Sequence, residues 1–462
     1  MERYGTRISS KNQKNAMYYI RHFSRIFIGL LFVFSGYTKM VDPFGTSLKM
    51  EEYLLSFGLD FMTPAAMTFA FLLNCAEFVL GWMLLLGIQM QLTAWGLLLF
   101  MSFFTLLTFW LAYALDIVAL INKLLGTEFE IFVVTDCGCF GDFIKLDNYQ
   151  TFYKNIVFML FTLIIFGQRN KYKQQFWYYI TQWFPALLVV GFSIFMQFHC
   201  LRHEPWHDFR PWKVGNFIAS ETYSEAPVVD FVFHYRHKTD GFILEISMDE
   251  LSEISDDSLR LADLGNNYVY ADRKEKVIKP AVNARLADFT IMDLEQKQDI
   301  KNHAILSSEY TFIIFIRDVM GVSPERFAST KKFIEECDAV GMDYYVVTGS
   351  LKENADTFNM INNTDILFYY SDVTPLKTAI RNNPGVILLK GGYVLDKWAY
   401  RDIPSLADIK STMPKYEQNL EKYKKKNPPI LPGQKKQEEI VKTIADLQDT
   451  TTLENTKDTI VE

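Results

Sequence analysis

Apolar positions are concentrated in the first 200 residues of this chain. No charged residue occurs from Phe78 to Leu115 or from Gln174 to Leu201, and shorter uncharged runs cover Ile26 to Thr38 and Asn155 to Gln168. A membrane-crossing helix needs ~20 mostly apolar residues. Runs this long and this uncharged predict five spans, over roughly residues 20–40, 66–87, 92–115, 152–168 and 177–199. The first and fourth have short apolar cores, so Arg21, Arg25 and Lys154 are expected to snorkel at their ends. The first is not a cleaved signal peptide. It lacks a small-x-small site, and Tyr37-Thr38-Lys39 follows its core.

Beyond the spans the periodicity changes. "VVDFVFHYRHKTDGFILEIS" is two strand-like runs around a Thr239-Asp240-Gly241 turn, and "YVYADRKEKVIKP" predicts another short strand pair. Both fall in a linker and small β-rich region over 201–285. From 286 to 412 strands alternate with helices. "YTFIIFIRD" is a buried-type strand, and "SPERFASTKKFIEECDAVG" is a helix with Ser323 as N-cap, Pro324 at its first position and Gly341 after its end. "PGVILLKGGYVLDKW" closes the pattern as two strands around Gly391-Gly392. Residues 413–462 are charged, Pro-interrupted and then polar, and are expected to be disordered with room for one weak helix.

Charge orients the spans. The 462 residues, enough for two or three domains, carry a diffuse net charge of −7 that gives no hint of nucleic acid. The N-terminal segment (1–19) and the start of the first span hold Arg3, Arg7, Lys11, Lys14, Arg21 and Arg25 against Glu2, and "QRNKYK" has Arg169, Lys171 and Lys173 and no acid. The loop with Asp42, Glu51, Glu52 and Asp60 is acidic, as is the one with Glu128, Glu130, Asp136, Asp142 and Asp147. The link "IQMQ" between the second and third spans is short and neutral. The acidic loops alternate with these basic or neutral segments, so the positive-inside rule puts the N-terminus in the cytoplasm and the large C-terminal part outside. In a Gram-negative cell that places Cys137, Cys139, Cys200 and Cys337 on the periplasmic side of an inner membrane, where disulfides persist.

Three polar groups stand out within the spans: Lys39 in "FSGYTKMVDP", Glu77 in "NCAEFVLGW", and Lys154 with Asn155 in "FYKNIV". Intramembrane ionisable residues are costly and mark function or pairing, so Glu77 either pairs with Lys39 for packing or serves chemistry. Asp116 is expected at the end of the third span. "RIFIGLLFVFSGYTKMVDP" resembles the first helix of DoxX-type membrane proteins, through Arg25, Gly29, Gly36, Lys39 and Pro43. "LLNCAEFVLGWMLLLG" resembles their second, through Glu77, Gly81 and Gly87. "DCGCFGDF" followed by "FYKNIVFMLF" is similar to the MauE branch of that group. The resemblance covers about residues 20–170 and implies a four-helix unit, to which the fifth span is an addition. It also implies a link to methylamine utilisation, periplasmic disulfide formation or quinone-coupled oxidation.

"TDCGCFGDF" is the densest chemistry in the chain. A thiol reacts as the thiolate, which nearby cations or a helix N-terminus favour. Lys39 and Lys154 sit at the outer ends of their spans, and the fourth span starts just beyond the pair. Three readings stay open: disulfide exchange with a partner, a structural bridge through Cys200, or metal ligation. Asp136 and Asp142 oppose an easily formed thiolate. In "FHCLRHEPWH", His199, His203 and His207 would share a helical face, but Pro205 interrupts it and no metal site is expected. Arg210 and Pro211 are expected to turn the chain at the surface.

The α/β pattern over 286–412 resembles the thioredoxin fold, with Pro384 in the cis-proline place. Thioredoxins carry Cys-x-x-Cys after the first core strand. Here that place reads "RDVMGVSPERF", and Cys337 lies at the far end of the next helix as a buried thiol. The expected protein is therefore a helical membrane bundle followed by a periplasmic α/β domain. Its expected role is thiol–disulfide or quinone-linked redox metabolism, with Cys137, Cys139, Lys39, Glu77 and Lys154 as the site. No cofactor motif is evident; a quinone is the acceptor such a relay would use. A periplasmic or membrane protein partner and the lipid bilayer are the expected partners. The rival is a non-enzymatic scaffold that holds a partner through the α/β domain. A transporter using Glu77 and Lys39 has little support without an internal repeat.

Overall fold

A computed structural model describes residues 2–129, 131, 133–134, 136–141, 143–144, 146–172, 183–222, 227–279 and 284–429, with backbone only for residues 2–15, 228 and 279. Glu130, Asp142 and Lys173, counted above, lie outside the described residues. So do residues 177–182 of the fifth expected span and the tail from 430.

The membrane part comprises α1 (Glu2–Met40), α2 (Pro43–Ser56), a 3-10 turn (Asp60–Ala65), α3 (Ala66–Leu86), α4 (Met90–Leu125), α5 (Asn148–Gly167) and α6 (Trp183–Arg202). Among the described residues five helices are long and apolar enough to cross a membrane: Ala16–Met40, Asp60–Leu86, Met90–Leu125, Asn148–Gly167 and Trp183–Arg202. Their outward faces are apolar (Leu30, Leu72, Leu99, Phe103, Leu106 and Leu160 are all exposed), as lipid contact requires.

Local chemistry sets the helix ends. Gly87, at φ +67°, ends α3, and the amide of Ile88 bonds back to the Met83 carbonyl at 2.9 Å. Asp147 caps α5 by accepting from the Gln150 amide at 2.7 Å. α4 runs past Asp116, expected at the end of the third span, and continues to Leu125. At 1.5 Å per residue α4 is ~54 Å long against a hydrocarbon core of ~30 Å, so it projects from the bilayer. The acidic segment after the first span is a helix too: Asp42 accepts from the Gly45 amide at 3.0 Å and Pro43 is its first residue.

Within the bundle α1 and α3 touch backbone to backbone. A Cβ on Gly36 would lie 2.8 Å from the Phe78 backbone, and one on Gly81 would lie 2.6 Å from the Val33 amide nitrogen. Close approach of this kind holds helices together in lipid, where burial of apolar surface supplies no drive.

After α6 the chain passes through a buried crossing. Arg210 and Pro211 are both buried, which corrects the expectation of a surface turn. The Arg210 guanidinium donates to Asp208 and Glu204, and Lys397 donates to Asp208 and bridges Glu204. Trp212, fully buried, packs edge-on against Phe289 and Phe315. The short α7 (Ala219–Thr222) follows.

Next comes a three-stranded antiparallel unit: β1 (Val228–His237), β2 (Ile243–Ser247), α8 (Met248–Asp256), α9 (Ser258–Asn267) and β3 (Tyr268–Lys279), in the order β2-β1-β3. The Thr239-Asp240-Gly241 turn joins β1 to β2. "YVYADRKEKVIK" is one long strand paired along β1 and not the strand pair expected. A Ser247–Glu250 capping box starts α8, one of two helices the strand-rich composition hid.

The remaining elements are β4 (Met292–Asp293), β5 (Gln298–Asp299), α10 (Lys301–Leu306), β6 (Thr311–Phe315), α11 (Pro324–Val340), β7 (Tyr344–Thr348), α12 (Lys352–Asn362), β8 (Phe368–Tyr370), α13 (Val373–Ala379), β9 (Gly385–Lys390), β10 (Tyr393–Ala399) and α14 (Leu406–Lys426). They build a seven-stranded sheet ordered β10-β9-β6-β7-β8-β4-β5, in which β6, β7 and β8 are parallel and β9 runs against β6. All five residues of β6 are buried, as a central strand covered on both faces demands. Ser323 stands at the N-cap of α11 without a side-chain capping bond, and Gly341 at φ +65° ends that helix. The Asn383–Pro384 peptide is cis. Where the disordered tail was expected from 413, α14 buries Tyr416 and Leu420 against the sheet.

Candidate functional site

The close contact of α1 and α3 places Lys39 beside Glu77. Lys39 Nζ donates to Glu77 Oε2 at 2.5 Å, and both side chains are buried. Lys39 also reaches Ser35 Oγ at 3.3 Å, one turn back on α1. Ser35 Oγ in turn donates to the Cys139 carbonyl at 2.6 Å, which ties the Cys-Gly-Cys loop to the ion pair. A second bond holds the loop from the other side: the Tyr53 hydroxyl on α2 donates to the Cys137 carbonyl at 3.0 Å. The loop folds over these anchors because Gly138 and Gly141 take φ +61° and +55°, a region side-chain-bearing residues avoid.

The Sγ atoms of Cys137 and Cys139 are 2.9 Å apart, and both residues are free thiols. The shared proton separates the two. Cys139 is pulled down to about 6, first by the hydrogen bond from Cys137 and then by Lys154 and Lys39, against the opposing effect of burial. Cys137 is pushed well above the ordinary thiol range, first by that same bond and then by burial. This asymmetry favours a Cys139 thiolate accepting from a Cys137 thiol, a form suited to nucleophilic attack. Lys154 also stacks its ammonium over the Phe140 ring at 4.7 Å, which fixes it near the loop.

Asp136 does not oppose this thiolate as its charge suggested. Its carboxylate accepts from Lys49 Nζ at 3.1 Å and from the Gly138 amide at 3.1 Å, so its charge is compensated locally. Asp142 lies outside the described residues.

All five residues singled out as the site thus come together. A small internal space of about 40 Å³ is lined by Lys39, Glu77, Cys139, Lys154 and Asn155 among others, and Cys137 hydrogen-bonds to Cys139. A larger cavity of about 680 Å³ opens on the other side of the pair. One end is apolar, with Leu73, Phe103, Leu107 and Trp110 from α3 and α4. The other is polar and is closed by α2 and by Lys377, Thr378 and Arg381 of the α/β domain. The volume is that of a small-molecule pocket.

Ser35, Tyr53, Lys49, Asp42 and Arg381 were not singled out. Ser35 had a signal, four residues before Lys39 and so on the same helical face. Tyr53 and Lys49 had none, because the segment read as a loop. The other clusters separate. Cys200 packs with Val41 and Met196, apart from the cluster that holds Cys137. His199 stacks on His203, whose Nδ1 meets Asp402 at 2.8 Å, while His207 Nδ1 meets the Tyr37 hydroxyl at 2.6 Å. Cys337 is buried in the α/β core, its thiol pushed up to about 12 by burial.

Residues 17–167 match the family model described as "Methylamine utilisation protein MauE". The match spans α1 to α5 and includes all five site residues. That part of the chain is a MauE-like membrane unit, and the chain is a multi-pass membrane protein. No curated protein and no solved structure matches it.

Proposed function

We propose that this protein is an inner-membrane thiol–disulfide oxidoreductase whose redox centre is the Cys137–Cys139 pair, facing the periplasm. One observation carries the reading: the two sulfurs are 2.9 Å apart in the wall of a cavity lined by both polar and apolar residues, with two ammonium groups lowering the pKa of one of them. A pair built only as a staple has no use for a stabilised thiolate.

In the oxidised enzyme a client thiolate attacks Cys139 Sγ and expels Cys137, which takes up a proton. A second client thiolate attacks the mixed disulfide and expels Cys139, the better leaving group because its thiolate is stabilised. The client loses two electrons and the pair gains them. A membrane quinone held at the apolar cavity end would supply the two-electron acceptor that restores the disulfide. Phe103, Phe104 and Trp110 would hold its ring, and Lys39, in the same cavity wall, would be the cation available to a carbonyl oxygen. Orientation follows from the basic N-terminus and the acidic loops.

The α/β domain is read as thioredoxin-like on its strand order, with three parallel strands flanked by an antiparallel β9–β10 hairpin. It carries no thiol where thioredoxins react. The loop at that place packs inward instead: Arg317 lies over the Phe44 ring of α2 at 5.0 Å and donates to the Arg381 carbonyl. A scaffold role retains one supporting feature, the β1–β3 unit with exposed Phe242, Leu259 and Ile278. The reading is tested by alkylating intact cells with and without reductant. Oxidoreductase action requires Cys137 and Cys139 to cycle between disulfide and thiol with quinone supply. A pair locked in one state under both conditions contradicts it.

A further inference from the structure

The polar end of the cavity has an unbalanced charge. Lys39 is paired with Glu77, Lys49 with Glu52 and Asp136, and Arg381 with Asp42. These account for the charged wall residues except Lys377. Among the described residues nothing bonds to the Lys377 ammonium. Its backbone carbonyl accepts from Arg381 Nη1, which fixes the end of α13 on the cavity wall. The side chain is half-buried, so its charge acts on the cavity with less screening than a surface lysine has.

Access to the pair is narrow. Cys137 is only 7 % exposed and Cys139 is partly exposed, and on the polar side the cavity they line is walled by α2 and α13. A cysteine on a folded protein surface does not enter such a space, whereas a small molecule fits about 680 Å³.

We propose that the substrate is a low-molecular-weight thiol bearing a carboxylate, which Lys377 holds while its sulfur meets the cysteine pair. The proposal rests on the oxidoreductase reading above and makes the α/β domain the part that selects the substrate. Two molecules R–SH become R–S–S–R as the Cys137–Cys139 disulfide becomes two thiols, so two electrons and two protons pass to the pair. Lys377 takes no part in the transfer.

The test uses the full-length protein in detergent, its pair oxidised with diamide and the excess removed. Reduction of the pair is timed with 3-mercaptopropionate and with cysteamine, each rate expressed per thiolate. The wild type is expected to favour 3-mercaptopropionate. Lys377→Gln should lower that preference several-fold, and Lys377→Glu should invert it, a change of about tenfold or more for a two-unit charge change near the ligand. Lys352→Glu, exposed on α12 and away from the cavity, should leave the preference as it was. An equal preference in wild type, Lys377→Gln and Lys377→Glu overturns the proposal. So does faster reduction by a folded dithiol protein that is indifferent to residue 377. If neither small thiol nor the folded dithiol reduces the pair in any of the proteins, the oxidoreductase reading falls and the proposal with it.

Discussion

Asp42 and Arg381, 339 positions apart in the chain, form a two-bond ion pair at 2.8 and 2.5 Å. Asp42 caps α2 just beyond the first membrane helix, and Arg381 follows α13 in the α/β domain. The pair fastens the domain over the cysteine cavity. The Asp42 carboxyl is held below its usual range, chiefly by the Arg381 guanidinium against the burial that opposes it.

Asp42→Asn should therefore loosen the domain. Removing one partner leaves a largely buried guanidinium beside Arg317, a change of ~3–5 kcal/mol for a buried pair. Protease cutting between the bundle and the domain should speed up. The pH sign follows from a depressed carboxyl pKa. The contribution is full above the unfolded value near ~3.9 and fades only as pH falls through the folded value. Wild-type protease resistance should hold from about pH 5 to 8.

Glu77 and Lys39 offer a separation of packing from chemistry. Either Glu77→Gln or Lys39→Met alone strands a buried partner and should lower protein level. The double variant Lys39→Met/Glu77→Leu should recover it, because apolar residues replace a buried ion pair at little loss. Its Cys139 should still titrate higher than wild type, because a cation beside the thiolate is gone. Asp116→Asn should change neither quantity.

Topology has its own check. A reporter active only outside the cytoplasm should work when fused after Gly215 and fail after Lys171. Equal behaviour of the two fusions would remove the orientation on which the periplasmic reading depends.

The bundle was legible in the sequence because lipid allows few solutions. Long uncharged runs have to be helices there, and Lys39, Glu77 and Lys154 stood out as charges within them. What was not legible arises from contacts distant in sequence. α2 carried its Asp-Pro start signal, yet its acidic residues read as a loop. Tyr53 and Lys49, on that helix, were lost with it. Arg381 meets Asp42 only once two domains have docked. The expected 286–412 boundary also missed α14 and the Trp212 segment, because a single sequence does not show which flanking residues complete a core.

The Cys139 thiolate predicts a pH profile. Alkylation of Cys139 should rise to half its maximum at about pH 6, while Cys137 stays slow. For a group with a lowered folded pKa, the stabilisation of the reduced fold is full above the unfolded value near ~8.5 and is lost as pH falls through about 6. Lys154→Gln should move the alkylation midpoint upward.

Mass spectrometry of non-reduced Cys137→Ser and Cys139→Ser membranes tests the central claim most directly. In Cys137→Ser the reactive thiolate keeps its cations but loses the thiol that would resolve a mixed disulfide. It should carry a covalent adduct that reductant releases. Cys139→Ser keeps only the protonated thiol and should carry none. Adduct-free protein in both variants, with Cys200 bridged to the loop in the wild type, would contradict disulfide exchange and leave a structural bridge in its place.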